Sequence, residues 1–146
     1  MREILFKAKR IDNGEWVEGY LFDDGFENGR MFVGGLVIEE YHGTACDDWS
    51  ITGINFYEVD PSTICQCTGL KDKNGNKIWE NDVIAYWDTY STENGYAEAD
   101  CIGKVLWDDE TLSFQVTERL SAESYEVMDD CLVIGNIFDN PELMNE

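Results

Sequence analysis

Four side chains able to bind a soft metal lie in the first half of the chain: His42, Cys46, Cys65 and Cys67. Three thiolates and one imidazole would satisfy tetrahedral zinc. Cys65 and Cys67 are two apart, a spacing that puts both on one face of an extended strand but lacks the two-residue loop of a zinc knuckle. Same-face packing as small core residues is the simpler reading, so no metal is expected. A second constellation, Asp72, Asn74 and Asn76, offers oxygen donors at the first, third and fifth positions of a calcium loop. The sixth position should be glycine but is Lys77, and the twelfth should be a bidentate glutamate but is Val83. That stretch is expected to be a plain hairpin turn, and no cofactor is expected.

Catalysis needs a positioned nucleophile, or an acid and a base with separated pKa values. The single histidine, His42, sits among polar residues without a triad context, and Gly34-Gly35 lacks the helix and lysine that aim backbone donors at a phosphate. With 31 acidic residues some carboxylates must be neighbours by chance, which makes a solvated acidic surface the simplest account of them. No catalytic, cofactor-binding or metal residues are assigned, and the chain is not expected to be an enzyme. Five tryptophans are many for 146 residues. Trp16, Trp87 and Trp107 lie inside strand patterns and are expected in the core. Trp49 and Trp79, with the turn residues Asn74 and Gly75, are the expected partner surface, because tryptophan is enriched at interface hot spots.

The elements that would carry these residues read as short strands. Ile4 to Ala8 and Trp16 to Phe22 flank Asn13-Gly14, and a second Asn-Gly, Asn74-Gly75, sits between apolar runs; both supply the positive φ of tight hairpins. Met31 to Ile38, Ile51 to Val59, Val83 to Trp87, Ile102 to Trp107, Leu112 to Val116 and Cys131 to Phe138 complete the strand set. Glu39 to Ser50 reads as a loop, Thr89 to Asp100 as a long polar break, and Glu118 to Asp130 as a break with room for one helical turn. Asn140 as cap and Pro141 at the first helical position predict a short helix from Pro141 to Asn145. The expected fold is mainly β. It has an N-terminal β subdomain over 1–67, a small barrel of short antiparallel strands over 68–146, and the short C-terminal helix.

Charge bounds the partners. A net of −21 excludes generic attraction to nucleic acid or anionic membrane. Past Lys77 only Lys104 and Arg119 oppose seventeen acids. No apolar run reaches the roughly 18 residues of a membrane helix, no signal peptide is visible, and five cysteines cannot all pair, so reduced thiols in a cytosol are expected.

The segments VDPSTICQCTGLKDKNGNKIWENDVI from Val59 to Ile84 and VIGNIFDNPEL from Val133 to Leu143, and more loosely MREILFKAKRIDNGEWVEGYL from Met1 to Leu21, resemble the YopX family of phage and prophage proteins. The resemblance implies a phage-borne protein and no particular activity. The family motif usually shows other residue types where this chain has Cys65 and Cys67, which argues against a family-wide zinc role. The expected function is a phage- or prophage-encoded protein–protein interaction module whose partner is a host or phage protein. Exposed strand edges and surplus tryptophans favour a homo-oligomer. The alternative is an acidic DNA mimic that inhibits a host DNA-binding protein. A compact chain of this mass exposes about 7,600 Å². That gives roughly one net charge per 360 Å² against roughly one per 110 Å² on duplex DNA, so mimicry needs the acids gathered on one face.

Overall fold

A computed structural model describes residues 4–26, 29–121, 123–128 and 130–145. The strands are Phe6–Lys9 (β1), Trp16–Asp23 (β2), Met31–His42 (β3), Asp47–Val59 (β4), Cys65–Lys71 (β5), Lys77–Trp79 (β6), Asp82–Thr92 (β7), Gly95–Asp108 (β8), Ser113–Glu118 (β9), Ser124–Glu126 (β10) and Cys131–Asn136 (β11). Single 3₁₀ turns occupy Pro61–Thr63 and Pro141–Met144. The protein is mainly β and antiparallel. It divides into two compact units, Ile4–Cys65 and Gln66–Glu146.

In the first unit β1 to β4 form an antiparallel meander. Gly14, at φ 71°, closes the first hairpin and donates its N–H to the Arg10 carbonyl at 2.9 Å. The sheet rolls back on itself: Arg10 bridges Val59, the Ile11 N–H donates to the Glu58 carbonyl, and the Asp60 N–H donates to the Lys9 carbonyl. The inner face holds Ala8, Val33 and Val59, all fully buried, with Val17, Leu21, Met31 and Ile64 packed against them. Each valine so buried stabilises by about 1.5–3 kcal/mol relative to exposure, before the entropy of ordering is counted.

The stretch Glu39 to Ser50, expected as a loop, instead continues both strands: the β3–β4 ladder runs from Met31 opposite Val59 to His42 opposite Asp47. Only four residues turn the chain, with the Gly43 N–H donating to the Cys46 carbonyl at 3.1 Å. Polarity there marks exposure on both faces, not loss of the ladder. One register shift, between Val37 and Ile38, leaves Thr52 as the extra residue of a bulge.

The second unit contains the β5–β6 hairpin and a five-stranded sheet ordered β10-β9-β8-β7-β11. Its core is Ile78, Ile84, Val105, Val116 and Cys131, with Tyr86, Phe114, Val127 and Val133 against it. The expected small barrel is not formed: among the described residues the sheet is open, with β10 and β11 at its edges. Closure requires every strand to find a staggered partner on both sides. β10 supplies three residues to β9 only, and the β7–β8 ladder, 11 and 14 residues long, overruns the strands beside it. The break expected over Thr89 to Asp100 is the distal part of that ladder, turned at Gly95 with φ 125°. Among the described residues the break Glu118 to Asp130 holds β10 and no helical turn. The expected C-terminal helix is a 3₁₀ turn of four residues, and Asn140 gives it no side-chain cap. The Asn140 side chain instead accepts the Asn136 N–H at 3.3 Å. No helix among the described residues is long and apolar enough to cross a membrane.

Candidate functional site: an apolar sheet face

Residues directly opposite each other in an antiparallel ladder share a face. The pairs Tyr20–Gly34, Phe22–Phe32, Gly34–Phe56, Leu36–Ile54, Ile38–Ile51 and Glu40–Trp49 therefore put one row of side chains on the side of β2, β3 and β4 away from Val33. Eight of them, Tyr20, Phe22, Leu36, Ile38, Trp49, Ile51, Ile54 and Phe56, are between 39% and 63% exposed. At the roughly 200 Å² that a large side chain presents, these exposures sum to roughly 840 Å² of apolar surface. The largest patch on an ordinary monomer is about 300–600 Å². Phe22 and Phe56 meet edge to face with centroids 4.8 Å apart, so the row is packed within itself at its root.

Charge on this face stands toward the two ends of the row, at Glu40 opposite Trp49 and at Glu58 opposite Phe32. In a chain of net −21, no charged residue occurs from Met31 to Ile38 or from Trp49 to Tyr57. The acids Glu39, Glu40, Asp47 and Asp48 sit at the distal tip, where His42 Nε2 lies 3.5 Å from Glu40 and Nδ1 lies 3.4 Å from Asp47. From Leu36 outward every residue of β3 is exposed, so the ribbon stands clear on both faces. At its root the backbones touch: a Cβ on Gly34 would fall on the Asn55 carbonyl oxygen, and one on Gly19 would fall on the Gly34 carbonyl oxygen.

The residues expected to form the partner surface are not brought together. Trp49 is exposed in this row. Trp79 is only 5% exposed and belongs to the interior, a correction to its expected surface role. It stands opposite Cys67, and its backbone N–H donates to Asp82 Oδ2 at 2.8 Å. Polar neighbours in sequence misplaced it, because Glu80 and Asn81 turn the chain while the indole points inward. Asn74 and Gly75 are exposed in the β5–β6 turn. Two of the tryptophans expected in the core are outside it: Trp87 is 57% exposed, and Trp107, edge-on to Phe114, is 39% exposed.

The would-be calcium ligands make a turn of their own. Asp72 is buried; its Oδ1 accepts the N–H groups of Asn74 and Asn76 at 2.9 Å each, and its Oδ2 accepts the Val133 N–H at 3.1 Å and the Asn76 amide at 3.3 Å. Burial pushes this carboxyl up, but the amides of Val133, Asn76 and Asn74 outweigh it and hold the group below the usual carboxylate range. The Lys73 N–H adds a bond to the Cys131 carbonyl, so this hairpin turn is stitched to β11. Of the zinc candidates, His42 and Cys46 are exposed at or beside the ribbon tip, and Cys65 and Cys67 are buried. No three His, Cys, Asp or Glu side chains gather into a metal site among the described residues. A recess of about 270 Å³ opens beside β7, lined by Tyr86, Trp87, Tyr125, Glu126, Met128 and Asp130. It falls short of the roughly 300–1,000 Å³ of most small-molecule sites.

The stitched turn and the Asn136–Asn140 corner, where the Asn136 side chain accepts the N–H groups of Phe138 and Asp139, lie within the segments that resemble a known family. The family model described as "YopX protein" matches residues 24–145. The chain belongs to the YopX family. Among solved structures, this YopX-family chain is similar to the crystal structure of protein EF1440 from Enterococcus faecalis, at 25% identity and a TM-score of 0.54, covering 99% of this chain and 100% of that one. No curated protein matches it. In this YopX-family chain Asp72, Trp79 and Asp82 are buried, and the two carboxylates accept backbone N–H groups, which is how structural residues behave. The exposed row of Leu36, Ile38, Ile51 and Ile54 escaped sequence reasoning because apolar runs read as core. Its one signal was the absence of charge over two long stretches of a highly acidic chain.

Proposed function

We propose that this YopX-family protein is a non-enzymatic protein–protein interaction module, encoded by a phage or prophage and working in the cytoplasm of the bacterial host. The observation that carries this reading is the uncharged apolar row on β2, β3 and β4, larger than a lone soluble domain ordinarily leaves in water. The DNA-mimic reading is weaker. Over 9905 Å² of exposed surface a net of −21 is one charge per roughly 470 Å², more dilute still than duplex DNA at roughly one per 110 Å².

Immobilised full-length chain, compared with an Ile38→Ser, Ile54→Ser variant, separates the two in host lysate. A partner held through the row is retained in about 0.5 M salt, where the Debye length is only about 4 Å, is lost with the variant and ignores added duplex DNA. Retention that is indifferent to the variant, or displaced by DNA, would sink the interaction reading.

A further inference from the structure

We infer that the apolar row is covered by the same row of a second copy of this chain, the two β3–β4 ribbons lying antiparallel about a two-fold axis. The inference rests on the interaction reading and goes beyond it by naming the occupant.

Area is the first argument. Roughly 840 Å² per copy matches the roughly 800 Å² per partner of a standard interface, so like against like is sufficient without further surface. A two-stranded ribbon standing free is at best marginally stable in water, and packing supplies what it lacks.

The pattern along the ribbon selects an antiparallel copy. Aromatic side chains lie at both ends, Trp49 at the tip and Tyr20, Phe22 and Phe56 at the root, with the aliphatic set Leu36, Ile38, Ile51 and Ile54 between. The row spans about eight residues of strand, roughly 27 Å. Reversing one copy on the other sets Trp49 of each over the aromatic root of its mate and lays the aliphatic sets together at the axis. Such self-complementarity is what an isologous contact requires.

Charge points the same way. Every Lys and Arg of the unit Ile4–Cys65 (Lys7, Lys9, Arg10 and Arg30) lies outside the ribbon, whereas the tip carries Glu39, Glu40, Asp47 and Asp48. A parallel pair would press eight carboxylates together; an antiparallel pair separates them. The centre, without charge, buries none.

Sedimentation velocity on the full chain at about 100 µM, with Ile38→Glu and Ile54→Glu variants, decides it. Both positions are more than half exposed, so the variants fold, and circular dichroism checks this. The expected result is a wild-type dimer, or an assembly built of dimers, with a dissociation constant raised at least about a hundredfold by either variant, since each substitution acts twice across the axis. Self-association untouched by the variants places the contact elsewhere and overturns the inference. A monomeric wild type overturns it as well. In that case an apolar dye bound by wild type and not by the variants leaves the interaction reading standing, while a dye bound by neither removes both.

Discussion

Asp72 shows how one carboxylate converts a turn into a joint. Its two oxygens receive three backbone N–H groups and one side-chain amide. In Asp72→Asn one of those oxygens becomes an NH₂ facing donors, whichever way the amide is turned. Urea unfolding should therefore show a loss of about 1–3 kcal/mol for Asp72→Asn, with no change in self-association, because the residue lies off the apolar row. Glu118 is the second such case: burial pushes it up, yet the N–H groups of Ser121 and Leu120, at 2.7 and 2.8 Å, bring it below the usual range. Both carboxylates are depressed in the folded chain, so the stability they give is present above their unfolded pKa values, near pH 4, and is lost as pH falls through the lower folded values. The slope of stability against pH below about pH 4 should be shallower in an Asp72→Asn, Glu118→Gln variant than in wild type. An equal slope would show that neither group contributes. Asp72, Asn74 and Asn76 were legible as a turn from their types, because a short acceptor followed by Asn-Gly has few other uses. That the acceptor also seizes Val133, 61 positions along the chain, was not legible, since no local pattern specifies a distant donor.

At the scale of the element, the β3–β4 ribbon depends on how closely three backbones approach at its root. Gly34→Ala would drive a Cβ into the Asn55 carbonyl, and backbone on that side cannot yield as a flexible side chain would. Thermal unfolding should report a loss on the order of 1–3 kcal/mol for Gly34→Ala. Gly53→Ala is the control, since nothing lies within 4 Å of its added Cβ, and it should leave stability unchanged or slightly raised. If both substitutions behaved alike, the root would not be the close contact described. Existence and direction of most strands were readable from β-branched and aromatic runs bounded by turn residues. Their ends were not. Glu39 to His42 and Asp47 to Ser50 look like loop by polarity, but a ladder whose faces are both wet has no need of apolar alternation. The C-terminal signal Asn140-Pro141 did mark a turn, but only four residues follow before Asn145 leaves helical angles, and Asn140 was already engaged at Asn136.

For the whole molecule, net charge and apolar area act in opposite directions. Two copies of net −21 would repel at long range, while the apolar side chains inferred to join them carry no charge. Raising NaCl from about 50 to 500 mM shortens the Debye length from about 14 to 4 Å, so self-association should strengthen with salt, as read by sedimentation equilibrium. Weakening over the same range would mean that tip carboxylates, not the apolar row, hold the copies together. Family membership, the antiparallel β class and the hairpin turns followed from residue order, because turn chemistry and strand propensity are local properties. Which apolar residues are covered is not a local property. Val33 and Leu36 belong to the same uncharged run, yet one is sealed against Ala8 and Val59 and the other faces water, because the sheet has two sides and only one of them is rolled inward. Likewise Trp49 and Trp79 both stand among polar neighbours, and only the course of the backbone sends one outward and the other into the core. Burial is a property of the closed surface, so it was decided by the tertiary structure.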